Sequence, residues 1–231
     1  MKQAKMERHL ATSEKLAQMI DHTRLNPEST GEDIERLCEE AINCQVWAVC
    51  INPVFVPLAK SLLSHSSVKI CSVIGFPFGA TAWEVKVFEG EKAIRDGAHE
   101  LDVVASIGAL TSGNFSLVED EVREIVAAAK RVKRDAIVKL IIECCFLDDS
   151  QKIESCKVAM SAGADFVKTS TGFGPHGATI YDVKLLRKTV GPNFGVKAAG
   201  GIRSLEDAIA MIEAGANRIG TSSTVRILGH S

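Results

Sequence analysis

The chain has 231 residues, 46% of them hydrophobic, and a formal net charge of −2. That suits one large domain with a sizeable core, and it excludes the strong global field that nucleic acid or an anionic membrane surface would call for. Met1 to Lys15 is polar and charged with no apolar signal core, and no apolar run reaches bilayer length.

Seven cysteines (Cys38, Cys44, Cys50, Cys71, Cys144, Cys145 and Cys156) form no CxxC pair and no cluster with histidine. They read as reduced core residues of a cytoplasmic protein, and the six scattered histidines argue against zinc.

In chain order, a polar N-terminal helix is expected first. Leu16 to Ile20 is a short apolar segment that reads as the first strand, ending at Asp21-His22-Thr23. Ser29-Thr30-Gly31 opens an amphipathic helix through about Asn43, with Ile34, Leu37, Cys38 and Ala41 on one face. Val46 to Ile51 is a continuous apolar run, hence a buried strand, and Asn52-Pro53 stops it before a helix over Val54 to Leu63. Val68 to Ile74 is the third strand, and Thr81 to Asp96 is helical. Glu100 to Val104 is the fourth strand, with Asp102 inside it. A loop at Ser112-Gly113-Asn114 leads to a long helix ending near Lys133. Ile137 to Ile142 is the fifth strand and carries Lys139. Strands at Phe166 to Thr169, Gly195 to Ala199 and Arg218 to Gly220 then alternate with helices at about Asp149 to Ala162, Ile180 to Thr189 and Leu205 to Glu213. A final short helix begins near Ser222.

Continuous apolar strands separated by helices imply a parallel sheet covered by helices. Eight such units at this length imply a closed (β/α)8 TIM barrel with an extra N-terminal helix, forming one catalytic domain over 1–231. The rival is a doubly wound open sheet, for which no GxGxxG or GxxxxGK[ST] fingerprint is present. A weak internal repeat favours the barrel. Gly97 to Asp102, Gly163 to Lys168 and Gly215 to Gly220 each run from a helix-ending Gly-Ala into a short strand, and their sixth positions are Asp102, Lys168 and Gly220.

The segment Phe166-Val167-Lys168-Thr169-Ser170-Thr171-Gly172-Phe173 places a lysine at the mouth of a buried strand, and Lys197 repeats the design before Ala198-Ala199-Gly200-Gly201. Burial and a second nearby cation both disfavour an ammonium, which is how an amine becomes a nucleophile able to form a Schiff base. The bland alternative is a lysine that snorkels to water. Asp102, Lys139, Lys168 and Lys197 share a pocket only if each points inward, since strand residues alternate faces. Three cations beside one carboxylate would make a poor structural salt bridge but a useful proton relay. The glycine-containing segments after the last two strands, Gly200 to Arg203 and Gly220 to Ser223, fit a phosphate cradle.

These stretches resemble the deoxyribose-phosphate aldolase family of class I aldolases. The likeness rests on Asp21-His22-Thr23 with Leu25, Ala48-Val49-Cys50, Glu100 to Val104, Val138 to Glu143, Val167 to Phe173, Lys197 to Arg203, and Gly220 to Ser223. They span nearly the whole chain in order. The resemblance implies a (β/α)8 barrel and reversible cleavage of 2-deoxy-D-ribose 5-phosphate to D-glyceraldehyde 3-phosphate and acetaldehyde, in deoxyribonucleoside breakdown. It implies Lys168 as the Schiff-base lysine, Lys197 as the cation that disfavours its charged form, and Asp102 as their partner in proton relay. It implies a phosphate on Gly172, Gly200, Gly201, Ser222 and Ser223, with Thr171 and Gly220 beside it, and Asp21, Cys50 and Lys139 lining the pocket or positioning Asp102. No metal or cofactor is expected. His22, Glu143 and His176 read as structural or loop residues.

The chain departs from the family pattern at Ala105-Ser106-Ile107-Gly108 and at Cys144-Cys145, and its only tyrosine is Tyr181. Proton delivery is therefore expected to rely on water and the Asp/Lys relay. Two other classes stay open: a phosphosugar isomerase or epimerase, which needs a carboxylate or histidine base, and a non-catalytic phosphometabolite-binding barrel. The expected partner is a small phosphosugar, with no nucleic acid and no membrane. Exposed barrel helices leave room for a homodimer.

Overall fold

A computed structural model describes residues 13–229. Eight parallel strands close in chain order, each paired with the next and β8 with β1. They are β1 Ile20–Arg24, β2 Ala48–Ile51, β3 Lys69–Ile74, β4 Glu100–Val104, β5 Ile137–Ile141, β6 Phe166–Lys168, β7 Gly195–Ala199 and β8 Arg218–Thr221. The helices between and after them are α1 Gly31–Asn43, α2 Val56–Leu62, α3 Trp83–Asp96, α4 Ile107–Thr111, α5 Phe115–Val132, α6 Asp149–Ser161, α7 Ile180–Val190, α8 Leu205–Glu213 and α9 Thr224–Leu228. This is the (β/α)8 architecture the alternation implies.

The strands owe their continuous burial to two different environments. Alternate residues such as Val49, Leu101, Val103, Leu140, Val167, Val196 and Ile219 join Ile34, Ile125 and Leu186 of the helices in one apolar layer. The other set points into the barrel, and there the apolar character fails: Asp21, Asp102, Lys139, Lys168 and Lys197 are all buried. Helix starts are fixed locally. Thr30 with Asp33, Asp148 with Gln151 and Ser204 with Asp207 form capping boxes at α1, α6 and α8.

One expectation is corrected, and one element was not foreseen. The first strand is Ile20–Arg24, not Leu16 to Ile20: residues 13–17 are helical, and Leu16 and Ala17 pack into the outer apolar layer from that turn. Asp21 belongs inside the strand because its charge is matched within the barrel, which local hydropathy does not reveal. The remainder of the expected N-terminal helix lies outside the described residues. A short helix, α4, also follows β4 without any side-chain N-cap to announce it.

One buried ion pair ties the helical layer to this region. Lys86 of α3 and Glu121 of α5 are fully buried and bonded to each other. Lys86 also donates to the Val104 carbonyl at 3.0 Å, and Glu121 accepts from the Ser106 N–H at 3.3 Å. Breaking a buried pair strands the remaining charge. Glu121→Ala is expected to lower unfolding stability by about 3–5 kcal/mol, read as a fall in the urea midpoint. An unchanged midpoint would contradict this account of the loop.

Candidate active site

Four adjacent strands deliver charged groups to one point. Asp102, in the middle of β4, lies 2.9 Å from Lys139 Nζ of β5, 2.7 Å from Lys168 Nζ of β6 and 2.7 Å from Lys197 Nζ of β7. The register makes this possible: Asp102 is opposite Lys139, and Lys168 is opposite Lys197. Asp21 of β1 also bonds Lys197 and lies 2.8 Å from Arg218. Glu100 lies 2.6 Å from Lys139 and 3.1 Å from Arg218. Gly220 makes room for this, since a Cβ there would stand 3.2 Å from Lys197 Cε and 3.0 Å from Ala199 Cβ.

The protonation states follow from burial set against partners. Burial alone would strip the proton from Lys197, but Asp102 and Asp21 outweigh it and hold the ammonium above the ordinary lysine range. Lys139 is held up in the same way, by Asp102, then Cys71 and Glu100. Burial pushes the Asp102 carboxyl up, yet Lys139, Lys168 and Lys197 together bring it well below the usual carboxylate range. Asp21 is likewise raised by burial and lowered further by Lys197 and Arg218, to about 2.

Above this network lies a cavity of about 200 Å³, at the C-terminal ends of the strands. Lys168, Thr171, Gly172, Gly200, Gly201, Gly220 and Ser222 line it, together with Thr23, Asn26 and Arg203. Gly200 and Gly201 have φ of +86° and +81°, a backbone that side-chain-bearing residues rarely adopt. Ser223 stands next to the cavity as the residue before α9, its N–H bonded to Thr221 Oγ1. Asp21, Cys50, Asp102, Lys139 and Lys197 lie beneath the floor rather than along the wall. Among the described residues lining the cavity there is no carboxylate and no histidine. Two larger grooves, of about 680 and 660 Å³, lie on the outer helices away from the strand-end lysines.

Glu143 is buried just after β5 with φ +50°, which turns its carboxylate onto the N–H and hydroxyl of Thr171. Burial raises its carboxyl above the ordinary value. It therefore braces the loop that follows Lys168. His22 faces out of the barrel and bonds Glu40 at 2.7 Å. Arg218 and Glu100 carried no site expectation, because a charged residue opening a strand reads as a solvated strand end. Asn26 and Phe173 also border the cavity, and only the fold brings them there.

Two groups among the described residues bring metal-ligand atoms within 4.8 Å of one another: Cys50, Cys71 and Asp102, and Asp21, Cys71 and Glu100. Lys139 bonds Cys71 Sγ at 3.3 Å and touches Asp102 and Glu100, so a dication would have to displace an ammonium from either.

Residues 15–228 match the model of the DeoC/LacD family aldolase. The deoxyribose-phosphate aldolase of Thermococcus gammatolerans is 59% identical over 215 residues, covering 92% of this chain and 95% of that relative. Its counterpart in Carboxydothermus hydrogenoformans is 53% identical over 219 residues, covering 95% and 96%. A solved structure from Aeropyrum pernix, described as a unique tetrameric structure of deoxyribose phosphate aldolase, has a TM-score of 0.89 at 40% identity, covering 96% of this chain and 93% of that one.

Asp21 links the site to acid stability. Its folded value, about 2, lies below its ordinary value of 3.8. The stability it contributes is thus fully present above about pH 4 and is lost as the pH falls toward 2. That contribution is on the order of 2 kcal/mol. Asp21→Asn is expected to flatten the pH dependence of unfolding free energy in this window, measured by denaturant titration. A variant whose stability falls as steeply as the parent's between pH 4 and 2 would contradict it.

Proposed function

The chain belongs to the DeoC/LacD family of aldolases, and on that footing we propose that Lys168, Lys197 and Asp102 carry the family's chemistry in it. The reaction is reversible cleavage of 2-deoxy-D-ribose 5-phosphate to D-glyceraldehyde 3-phosphate and acetaldehyde, a step in deoxyribonucleoside breakdown. The observation that carries the assignment is that Lys168 alone, of the buried bases in the network, also lines the cavity.

The free amine of Lys168 attacks the aldehyde carbon of the open-chain sugar to give a carbinolamine, and a proton delivered to its hydroxyl lets it leave as water, giving a protonated imine. As the C3 hydroxyl loses its proton, the C2–C3 bond breaks and its electrons move into the iminium. Glyceraldehyde 3-phosphate leaves, and an enamine remains on the acetaldehyde carbons. Protonation of that enamine and hydrolysis free the lysine. Asp102 touches both Lys168 and Lys197 at 2.7 Å, so a proton can pass between the two amines through one carboxylate or an adjacent water. Lys197, held charged by two carboxylates, keeps a positive field on Lys168. Lys139 fixes Asp102 from the far side. The phosphate sits on the N–H groups of Gly172, Gly200 and Gly201 and on Ser222 and Ser223, with Thr171 and Gly220 shaping the wall.

An isomerase or epimerase on the same scaffold needs a carboxylate or histidine facing the substrate, and the described lining offers none. The proposal takes the whole 231-residue chain as one catalytic domain. Among the described residues no helix is long and apolar enough to cross a membrane. The seven cysteines are free, which suits a reducing cytoplasm. The groove of about 660 Å³ on the outer face, where Val54 and Phe88 are 74% and 66% exposed, supports a homodimer. A single monomer boundary in sedimentation at micromolar concentration would remove that part.

Borohydride with acetaldehyde tests the central assignment. Reduction should inactivate the protein and leave an N-ethyl group on Lys168, located by peptide mass. Lys168→Leu should abolish turnover and take up no label, with its circular dichroism unchanged. Label elsewhere, or turnover in that variant, would reject the role of Lys168.

A further inference from the structure

The charge network beneath Lys168 runs on to the opposite end of the barrel. Arg218, the first residue of β8, is buried with its guanidinium 4.7 Å from the Trp47 ring centroid and 5.5 Å from that of Phe166. It donates to Asp21 at 2.8 Å and to Glu100 at 3.1 Å. Glu100 also accepts from Trp47 Nε1 at 2.6 Å and touches Lys139 at 2.6 Å. In register, Arg218 is the partner of Lys197, whose other partner is Lys168. Neither Arg218 nor Glu100 lines the cavity.

The network holds four bases, Lys139, Lys168, Lys197 and Arg218, against three carboxylates, Asp21, Glu100 and Asp102. Cys50 and Cys71 both donate toward Asp102 and are counted as thiols; burial holds Cys71 well above the ordinary thiol value, while a hydrogen bond to Cys71 lowers Cys50. Glu143 faces Lys168 from the loop after β5 but is bonded to Thr171, outside these contacts. With every base protonated and every carboxylate ionised, the seven groups carry one excess positive charge in a medium that screens it poorly. A guanidinium does not give up its proton. Lys139 and Lys197 each touch at least two carboxylates, whereas Lys168 touches only Asp102 and opens to the cavity. Lys168 is thus the base of the set with the fewest carboxylate partners and the one within reach of a substrate.

We propose that Arg218 and Glu100 are positioning residues that set, through Asp21 and Lys139, the pH above which Lys168 is free to attack. Arg218 moves that pH down and Glu100 moves it up. The inference rests on the Schiff-base role of Lys168.

The test is the pH profile of kcat/KM for 2-deoxyribose 5-phosphate cleavage, whose acidic limb reports the free amine. Arg218→Met removes a positive charge, so its limb should move up by about one pH unit. Glu100→Gln removes a negative charge, so its limb should move down by a similar amount. The double variant restores the count and should return close to the parent profile. Arg218→Lys keeps the charge and should hold the limb in place even where the rate falls. A purely structural role would lower the rate at every pH and leave the limbs coincident, which would overturn the proposal. Should Arg218→Met fail to fold by circular dichroism, an unmoved limb in Glu100→Gln overturns it alone. Borohydride labelling of the parent separates the two levels. No label on Lys168 removes the Schiff-base reading, while label with unmoved limbs removes only this inference.

Discussion

One carboxylate, that of Asp102, lies within 3 Å of three amines from three different strands. Ammonium groups gathered that closely repel strongly in a buried setting, and a single negative charge cannot offset three positive ones. The surrounding structure answers that imbalance. Asp21 and Glu100 add two more carboxylates below, and the closed ring of strands keeps water from screening the result. Arg218 adds a fourth base to the set, so one positive charge is left in excess, and Lys168 is the amine that reaches the cavity. On the proposed mechanism, reactivity at Lys168 is a property of the whole buried set and not of one side chain.

Such a set stabilises a fold poorly, because desolvating each ion costs several kcal/mol before any pairing is gained. The apolar layer outside the barrel supplies what the interior does not. There, Ile, Leu and Val side chains from strands and helices pack together, with Lys86 paired to Glu121 among them, and each fully buried apolar side chain contributes about 1.5–3 kcal/mol. The two faces of β4, β5, β6 and β7 thus divide the work, the outer face for cohesion and the inner face for the charged network. That division also explains why a barrel of this kind tolerates lysines at the centre of β5 and β7.

Much of this was legible from the chain alone. Strands announced themselves as apolar runs, the first helix start as the Thr30 signal, and Lys168 as a charge where burial was otherwise continuous. Asp21 misled because a carboxylate after Ile20 reads as the end of a strand; only Lys197 and Arg218, some two hundred residues away, make it tolerable inside one. Arg218 and Glu100 were opaque for the same reason. Each opens its strand, a place where charge normally meets water, and the Trp47 and Phe166 rings that enclose Arg218 come from other strands and loops. The five residues of α4 have no cap and little periodicity, so nothing local could have marked them.

The central claim is that Asp102, Asp21 and Glu100 hold Lys139 and Lys197 charged beneath the one amine of the network that reaches the cavity. Heteronuclear NMR of the protein carrying ¹⁵N-labelled lysine, with each Nζ signal assigned by substitution, reads those two charge states directly as the pH is raised. The account expects both signals to keep their ammonium character across the range in which the fold persists. An Nζ of Lys197 or Lys139 that loses its proton within that range would contradict it.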